Sequence, residues 1–292
     1  MATAREIRRR IRSVRNVAQI TRAVQMVASS KMRRAQERVL ASRPYSEELM
    51  KLVARLAPEA AGAEDLPLMQ PREVRRVAIV HVTPDRGLAG ALPGNLNRRS
   101  AQLALELQRE TTNAQISFIA VGRRGRDFLV RTQQRILAEF TNLGDQPSQA
   151  DVRAIARAVS DAYINGDVDR VLLVYPKFVS TVVQTPTVIQ LLPVEPPEGA
   201  ETEGPTPQYI YEPDEQTIFA ELLPRYVETQ IYQPLLESVA SFYSAQMVAM
   251  KNATDNATDL VADLTLTYNK ARQAAITTQI LEVVSGSGAL GS

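Results

Sequence analysis

Few side chains in this sequence have the means to do covalent chemistry. Its 292 residues include one histidine, His81, and no cysteine. Thiol nucleophiles, zinc–thiolate sites and disulfides are therefore excluded. His81 falls in the β-rich run Val74–Thr83, where a lone imidazole reads as a structural residue rather than a catalyst. Two glycine-bearing turns follow strands and precede helices, the place where α/β folds often bind phosphates. The first is Asp85-Arg86-Gly87-Leu88-Ala89-Gly90 and the second is Gly122-Arg123-Arg124-Gly125-Arg126. Neither has the GxGxxG spacing, and no acidic ribose partner stands near the end of the second strand. No GxxxxGK[ST], HExxH or GxSxG motif occurs. The sequence thus predicts no catalytic residue, no metal ligand and no bound cofactor.

The elements around these residues fall into three regions. From Arg5 to about Leu56 the chain reads as one helix, with Ile7, Ile11, Val14, Ala18, Thr21, Gln25, Ala28, Met32, Ala35 and Val39 in alternating steps of four and three. Val17, Ile20, Val24 and Val27 add a further apolar face. Pro44 is expected to kink or break this helix. Residues 58–71 read as a linker. The middle region alternates strand and helix signals: strands at Val74–Thr83, Gln115–Val121 and Val171–Tyr175, helices at Asn95–Glu110, Arg123–Val130 and Ala150–Ile164. That order predicts a parallel, Rossmann-like layer. A Pro/Glu/Gly-rich stretch over 193–207 reads as a flexible loop.

The last region, from Asp214 to about Val284, is helical again. Leu236, Val239, Tyr243, Gln246, Met250, Ala253, Ala257, Leu260, Leu264, Thr267, Ala271, Ala274, Thr278 and Leu281 predict a heptad seam. Such a helix would be roughly 75 Å long at about 1.5 Å per residue, with Gly286 and Gly288 ending it. The fold class expected is α/β: a long antiparallel coiled coil of the terminal helices plus a central Rossmann-like domain. The boundaries expected are 1–57 for the first helix, 72–194 for the domain, 195–211 for the loop and 212–286 for the last helix. Many seam positions are Ala, Thr or Gln, so the pair buries modest apolar area and would gain from an outer sleeve.

Charge is distributed unevenly. Between Met1 and Arg43 twelve Lys and Arg stand against only Glu6 and Glu37, although the whole chain carries a net charge of just +2. A basic helix beside a coiled coil raises the possibility of DNA binding. The basic and seam segments are some 200 residues apart, however, and the basic helix has an apolar face that a groove-reading helix would not need. A structural coiled-coil protein with an appended α/β domain and a nucleotide-binding enzyme are further readings, and copurifying protein subunits, nucleic acid or bound nucleotide separate them. No apolar run approaches the roughly 18 residues of a membrane span. Gln19, Thr21, Arg22 and Gln25 interrupt the only candidate secretory signal. An Arg-rich, acid-poor start is shared with mitochondrial transit peptides.

Ile20-Thr-Arg-Ala-Val-Gln-Met-Val-Ala-Ser-Ser-Lys-Met32, followed by Arg33-Arg-Ala-Gln36, closely resembles the N-terminal helix of F-type ATP synthase γ subunits. Met250-Lys-Asn-Ala-Thr-Asp-Asn-Ala257 and Tyr268-Asn-Lys-Ala-Arg-Gln-Ala-Ala-Ile-Thr277 resemble the family's C-terminal helix, and the two Gly turns resemble its middle domain. The matches occur in family order along essentially the whole chain. Two positions depart from the family pattern, with Gln279 where Glu is usual and Ser287 where Ala is usual. The cysteine pair of chloroplast-type γ subunits is missing, so redox gating of that kind is not expected. Because the motif begins at the start of the sequence, Met1–Arg43 is expected to be mature helix rather than transit peptide, and the protein bacterial.

The resemblance implies a non-catalytic rotor shaft, coupling proton flow through a membrane ring to ATP synthesis at β subunits. It implies α, β and ε subunits and the c-ring as partners, no nucleic acid, and a peripheral place on the cytoplasmic face of the membrane, reached only through partners. It implies partner or bearing contacts at Val24, Lys31, Met32, Arg272, Gln273, Thr277 and Gln279, and a middle-domain turn at Asp85, Arg86, Gly87 and Gly90.

Overall fold

A computed structural model of the chain describes residues 4–56, 66–110, 114–195 and 214–290. Most of the expected linker over 58–71 and of the expected loops over 193–207 and 195–211 lies outside the described residues. Ten elements follow in order: α1 (Ala4–Leu56), β1 (Arg76–Val82), α2 (Leu92–Glu110), β2 (Gln115–Val121), α3 (Arg123–Arg131), β3 (Ile136–Phe140), α4 (Gln149–Ile164), β4 (Arg170–Phe178), β5 (Gln184–Leu192) and α5 (Glu215–Leu290). They form two compact units, Met1–Ala28 with Gln246–Ser292, and Ser29–Ala245. Both α1 and α5 contribute to each.

In the Ser29–Ala245 unit the strands form one five-stranded sheet in the order β3-β2-β1-β4-β5. The β1–β2, β1–β4 and β2–β3 pairs are parallel. The sheet is not wholly parallel, because β5 returns antiparallel to β4. Alternation along the strands divides the core between two faces. Val77 and Ile79 of β1 pack with Leu103, Leu107 and Leu129 of α2 and α3. Ala78, Val80 and Val82 face the other way, toward Ile155 and Val159 of α4, Val53 and Leu56 of α1, and Phe219, Leu223 and Val227 of α5. The strand order reverses between β1 and β4, the topological switch of a doubly wound sheet. In this unit α1 and α5 also pack antiparallel: Ala35 and Val39 meet Leu236 and Ala240, and Ser42 Oγ donates to Gln233 Oε1 at 2.7 Å.

Pro44 does not break α1. The proline removes the hydrogen bond to the Leu40 carbonyl. Leu40 is 58% exposed, so that carbonyl lies on a face open to water. Nor do Gly286 and Gly288 end α5, which continues to Leu290. Glycine weakens a helix interior without forbidding it.

In the other unit the expected α1 seam holds: Ile7, Ile11 and Ala28 are buried, and Val14, Ala18, Thr21 and Gln25 are half-buried. The α5 seam shares Met250, Ala257, Leu264 and Ala271 with the expectation, but the intervening positions shift by one. Thr254 is buried and Val261 and Tyr268 half-buried, whereas Leu260 and Thr267 are exposed. Thr254 can be buried because its hydroxyl has partners, the Met250 carbonyl at 2.9 Å and Thr21 Oγ1 at 2.7 Å. The Thr21–Thr254 contact fixes the register of the pair at this level. Ala274, Thr278 and Leu281, expected in the seam, are exposed.

Candidate functional site

The helix-pair unit presents its functional candidates outward. Val17, Ile20 and Val27 on α1 are 48%, 63% and 56% exposed, and Leu260, Leu266, Ile276, Ile280 and Leu281 on α5 are exposed as well. Val24 turns partly into the seam and is half-buried. Arg8, Arg9, Arg12, Arg15 and Arg22 line the exposed side of α1. Arg272, Gln273, Thr277 and Gln279 are all exposed. The Thr277 hydroxyl donates to the Gln273 carbonyl at 3.0 Å. Among the described residues, none forms an ion pair or side-chain hydrogen bond with the side chains of Arg272 or Gln273. Both lie beside half-buried Ala271, on the exposed side of α5.

In the Ser29–Ala245 unit the two Gly turns meet. Asp85 Oδ1 accepts from the Arg123 N–H at 2.9 Å and the Asn142 N–H at 3.0 Å, and Arg124 N–H donates to the Pro84 carbonyl at 3.2 Å. Gly122, the N-cap of α3, has φ 95°, and a Cβ there would lie 1.9 Å from the Thr83 carbonyl oxygen. Only glycine fits. A Cβ on Gly125 would meet the His81 ring at 2.6 Å, so α3 packs directly on that imidazole. Gly90 takes φ 57° and Leu88 φ 65°, which bends the first turn back on itself. On Gly87 a Cβ would meet the Arg124 side chain, while Arg86 is exposed beside it.

A cavity of about 360 Å³ opens at the carboxyl ends of β1 and β2, lined by Asp85, Arg123, Asn142 and Asp145 and closed by Ser238, Phe242 and Tyr243 of α5. This is the crevice where open α/β sheets bind ligands. Here the first amide of α3, which a phosphate would use, is taken by the chain's own Asp85 carboxylate. His81 is fully buried, its Nδ1 2.7 Å from Ser100 Oγ and its Nε2 2.9 Å from Asn97 Oδ1. Burial holds its pKa down to about 4, against a smaller upward pull from Asn97. Such an imidazole stays neutral and braces β1 against α2.

Lys31, expected to meet a partner, is engaged within the chain. Its Nζ donates to Asp145 Oδ2 at 2.5 Å and to Tyr243 Oη at 3.2 Å. Burial works to raise the Asp145 carboxyl, but hydrogen bonds from Lys31 and Tyr243 outweigh it and hold it below its ordinary value. The Lys31 ammonium is raised, chiefly by its bond to Asp145. Met32 beside it is half-buried.

A family model described as ATP synthase matches residues 3–290. The ATP synthase gamma chain of Dehalococcoides mccartyi (strain CBDB1) is 49% identical over 291 residues, covering 99% of this chain and 100% of its own. That of Roseiflexus sp. (strain RS-1) is 49% identical over 292 residues, covering 99% of both chains. The chain belongs to the ATP synthase γ-chain family. Solved structures carry the same fold. A chain of Euglena gracilis mitochondrial ATP synthase in rotational state 3 aligns with a TM-score of 0.65 at 19% identity, covering 98% of this chain and 94% of that one. A chain from the Tetrahymena thermophila mitochondrial central stalk and c-ring aligns with a TM-score of 0.61 at 23% identity, covering 80% and 99%.

For this γ-chain family member, sequence reading missed the residues that fasten helices to sheet. Asp145, Glu237, Ser241, Ser244 and Tyr243 take part in these contacts. Tyr243 reads from the sequence only as a seam residue. One signal was available: Glu237, Ser241 and Ser244 repeat at helical spacing, a polar stripe beside the apolar one.

Proposed function

We propose that this chain is the central shaft of an F-type ATP synthase, a non-catalytic subunit that couples proton flow through a membrane ring to ATP synthesis at the β subunits by rotation. The observation that carries this is the helix-pair unit of a γ-family chain whose large apolar side chains, among them Ile20, Val27, Leu266 and Ile280, face outward on both helices. Large apolar side chains exposed along both helices are surface that an enclosing partner can cover. A surrounding ring of α and β subunits supplies its cover, while the α/β domain meets the ε subunit and the c-ring. Arginines along α1 attract acidic loops of the ring at long range. Val24, Met32, Arg272, Gln273, Thr277 and Gln279 supply bearing and latch contacts to β. Among the described residues no helix is long and apolar enough to cross a membrane. The chain works peripherally, on the cytoplasmic face, held there by its partners.

Reconstitution tests the reading. Membranes holding the other subunits should show ATP-driven proton uptake and proton-driven ATP synthesis only when this chain is supplied. Coupled activity of equal size in its absence would sink the shaft assignment.

A further inference from the structure

Within the Ser29–Ala245 unit the sheet holds α1 and α5 through two polar grips. The first comes from the end of β4 and the turn that follows it. Glu237, Ser241 and Ser244 stand at i, i+4 and i+7 on α5 and share one helical face. Phe178 N–H donates to Glu237 Oε2 at 3.2 Å. Ser241 Oγ donates to the Pro176 carbonyl at 2.9 Å and Ser244 Oγ to the Thr181 carbonyl at 2.5 Å. Both serines are 0% exposed. The β4–β5 hairpin that they hold is itself braced, since Ser180 N–H donates to the Val183 carbonyl at 3.0 Å and Val183 N–H to Ser180 Oγ at 3.1 Å. Phe178, at the root of the hairpin, packs on the Ala35, Val39, Leu236 and Ala240 cluster and so touches the helix pair itself.

The second grip comes from the loop after β3. Asp145 takes Lys31 Nζ on its carboxylate and Arg38 Nη1 on its carbonyl, the latter at 3.2 Å, while Lys31 also reaches Tyr243. One grip comes from the end of β4 and the β4–β5 turn and the other from the loop after β3, so the two reach the helix pair from opposite halves of the strand order.

Turning a helix pair about its long axis requires off-axis forces that do not slip. Apolar contact is non-directional and yields to sliding. A hydrogen bond weakens steeply once it is bent away from its axis, so buried, directional bonds resist twist where greasy packing does not. Two such grips on opposite sides make a mechanical couple. We propose that Glu237, Ser241 and Ser244 in one grip and Asp145 with Lys31 in the other form a two-jaw torsional clamp, the positioning residues through which rotation passes between the α/β domain and the two long helices. This rests on the shaft reading above.

The test uses the assembled catalytic complex carrying this chain. With no native cysteine, a single cysteine in place of exposed Gln102 on α2 gives a unique point for attaching a bead. The bead's angular variance is recorded with rotation arrested by ATP depletion. Ser241→Ala/Ser244→Ala, which leaves only the Glu237 bond in its jaw, is expected to raise that variance by up to about twofold, the limit at which one of two similar springs in parallel is lost. Asp145→Ala should do the same, Ser241→Thr/Ser244→Thr should restore the unaltered value, and the unloaded hydrolysis rate of the serine variants should not change. Unaltered variance in both alanine variants overturns the clamp. If the serine variant does not assemble, Asp145→Ala, at a half-exposed pair, decides alone. Absence of ATP-driven bead rotation with the unaltered chain would count instead against the shaft reading, so the two failures are distinguishable.

Discussion

His81 shows how far one buried residue can govern solution behaviour. The folded chain accepts a proton there only near pH 4, because burial opposes the charge. An unfolded histidine accepts one near 6.5. The contribution is therefore complete above about pH 6.5 and is lost as pH falls toward 4, by about 3 kcal/mol in total. Asp145 and Asp169 have depressed values, so their contributions are present above 3.8 and lost only below it. The windows do not overlap. Glu237, whose carboxyl burial raises, works in the opposite sense above 4.5, so the loss should show as a difference between the unaltered chain and His81→Gln in denaturant titrations at pH 7 and pH 4.5; identical pH dependence in the two chains would refute the argument. Arg272 lies at the other extreme, exposed and without a partner among the described residues. If it latches to β, a charge-assisted contact of about 1.5–3 kcal/mol changes a step rate by roughly one to two powers of ten. Arg272→Ala should assemble normally and slow both hydrolysis and synthesis, with Gln273→Ala weaker. Steady-state turnover of purified complexes is the measure, and unchanged rates in both directions leave only a solvated helix face.

Among the elements, the shift in the α5 seam gives the cleanest experiment. Leu260 is 47% exposed and Val261 half-buried against α1. In the free chain Leu260→Ala should alter stability by no more than about 0.5 kcal/mol. Val261→Ala should cost about 1 kcal/mol, and thermal unfolding that ranked them the other way would restore the seam read from composition. That seam was half legible. Met250, Ala257, Leu264 and Ala271 belong to both phases, but counting apolar side chains favours Ala253 over Thr254 because it cannot see that Thr21 will satisfy a buried hydroxyl. The α1 seam needed no such partner and was readable throughout. Strands β1, β2 and β4 were legible as β-branched runs. β3, Ile-Leu-Ala-Glu-Phe, has weak strand propensity, and β5 carries Pro186, which an edge strand tolerates and a central one does not. Of the candidate site, the outward side of Arg272 followed from its spacing beside Ala271. The grips on α5 did not, because they pair residues about 60 positions apart.

For the whole molecule, coupling and catalysis should be separable. Val24 is half-buried beside exposed Ile20 and Val27. A lysine in its place can extend its stem along the apolar face and carry its charge out to solvent in the free chain, but toward the ring in the complex. Val24→Lys should therefore leave folding and ATP hydrolysis largely intact while proton pumping falls disproportionately. Parallel measurement on reconstituted vesicles decides it, and equal loss of both with intact assembly would speak against a coupling role. The antiparallel seam carries one more consequence. Two helices in contact have at best a two-fold cross-section, and here not even that, since Val17 and Ile20 on one side face a different set, Leu260 and Leu266, on the other. A closed ring of identical units repeats one surface around its axis. No rotation of the helix pair can offer the same surface to every unit of a ring that encloses it, so symmetry mismatch alone would make the units of such a ring differ at every angle.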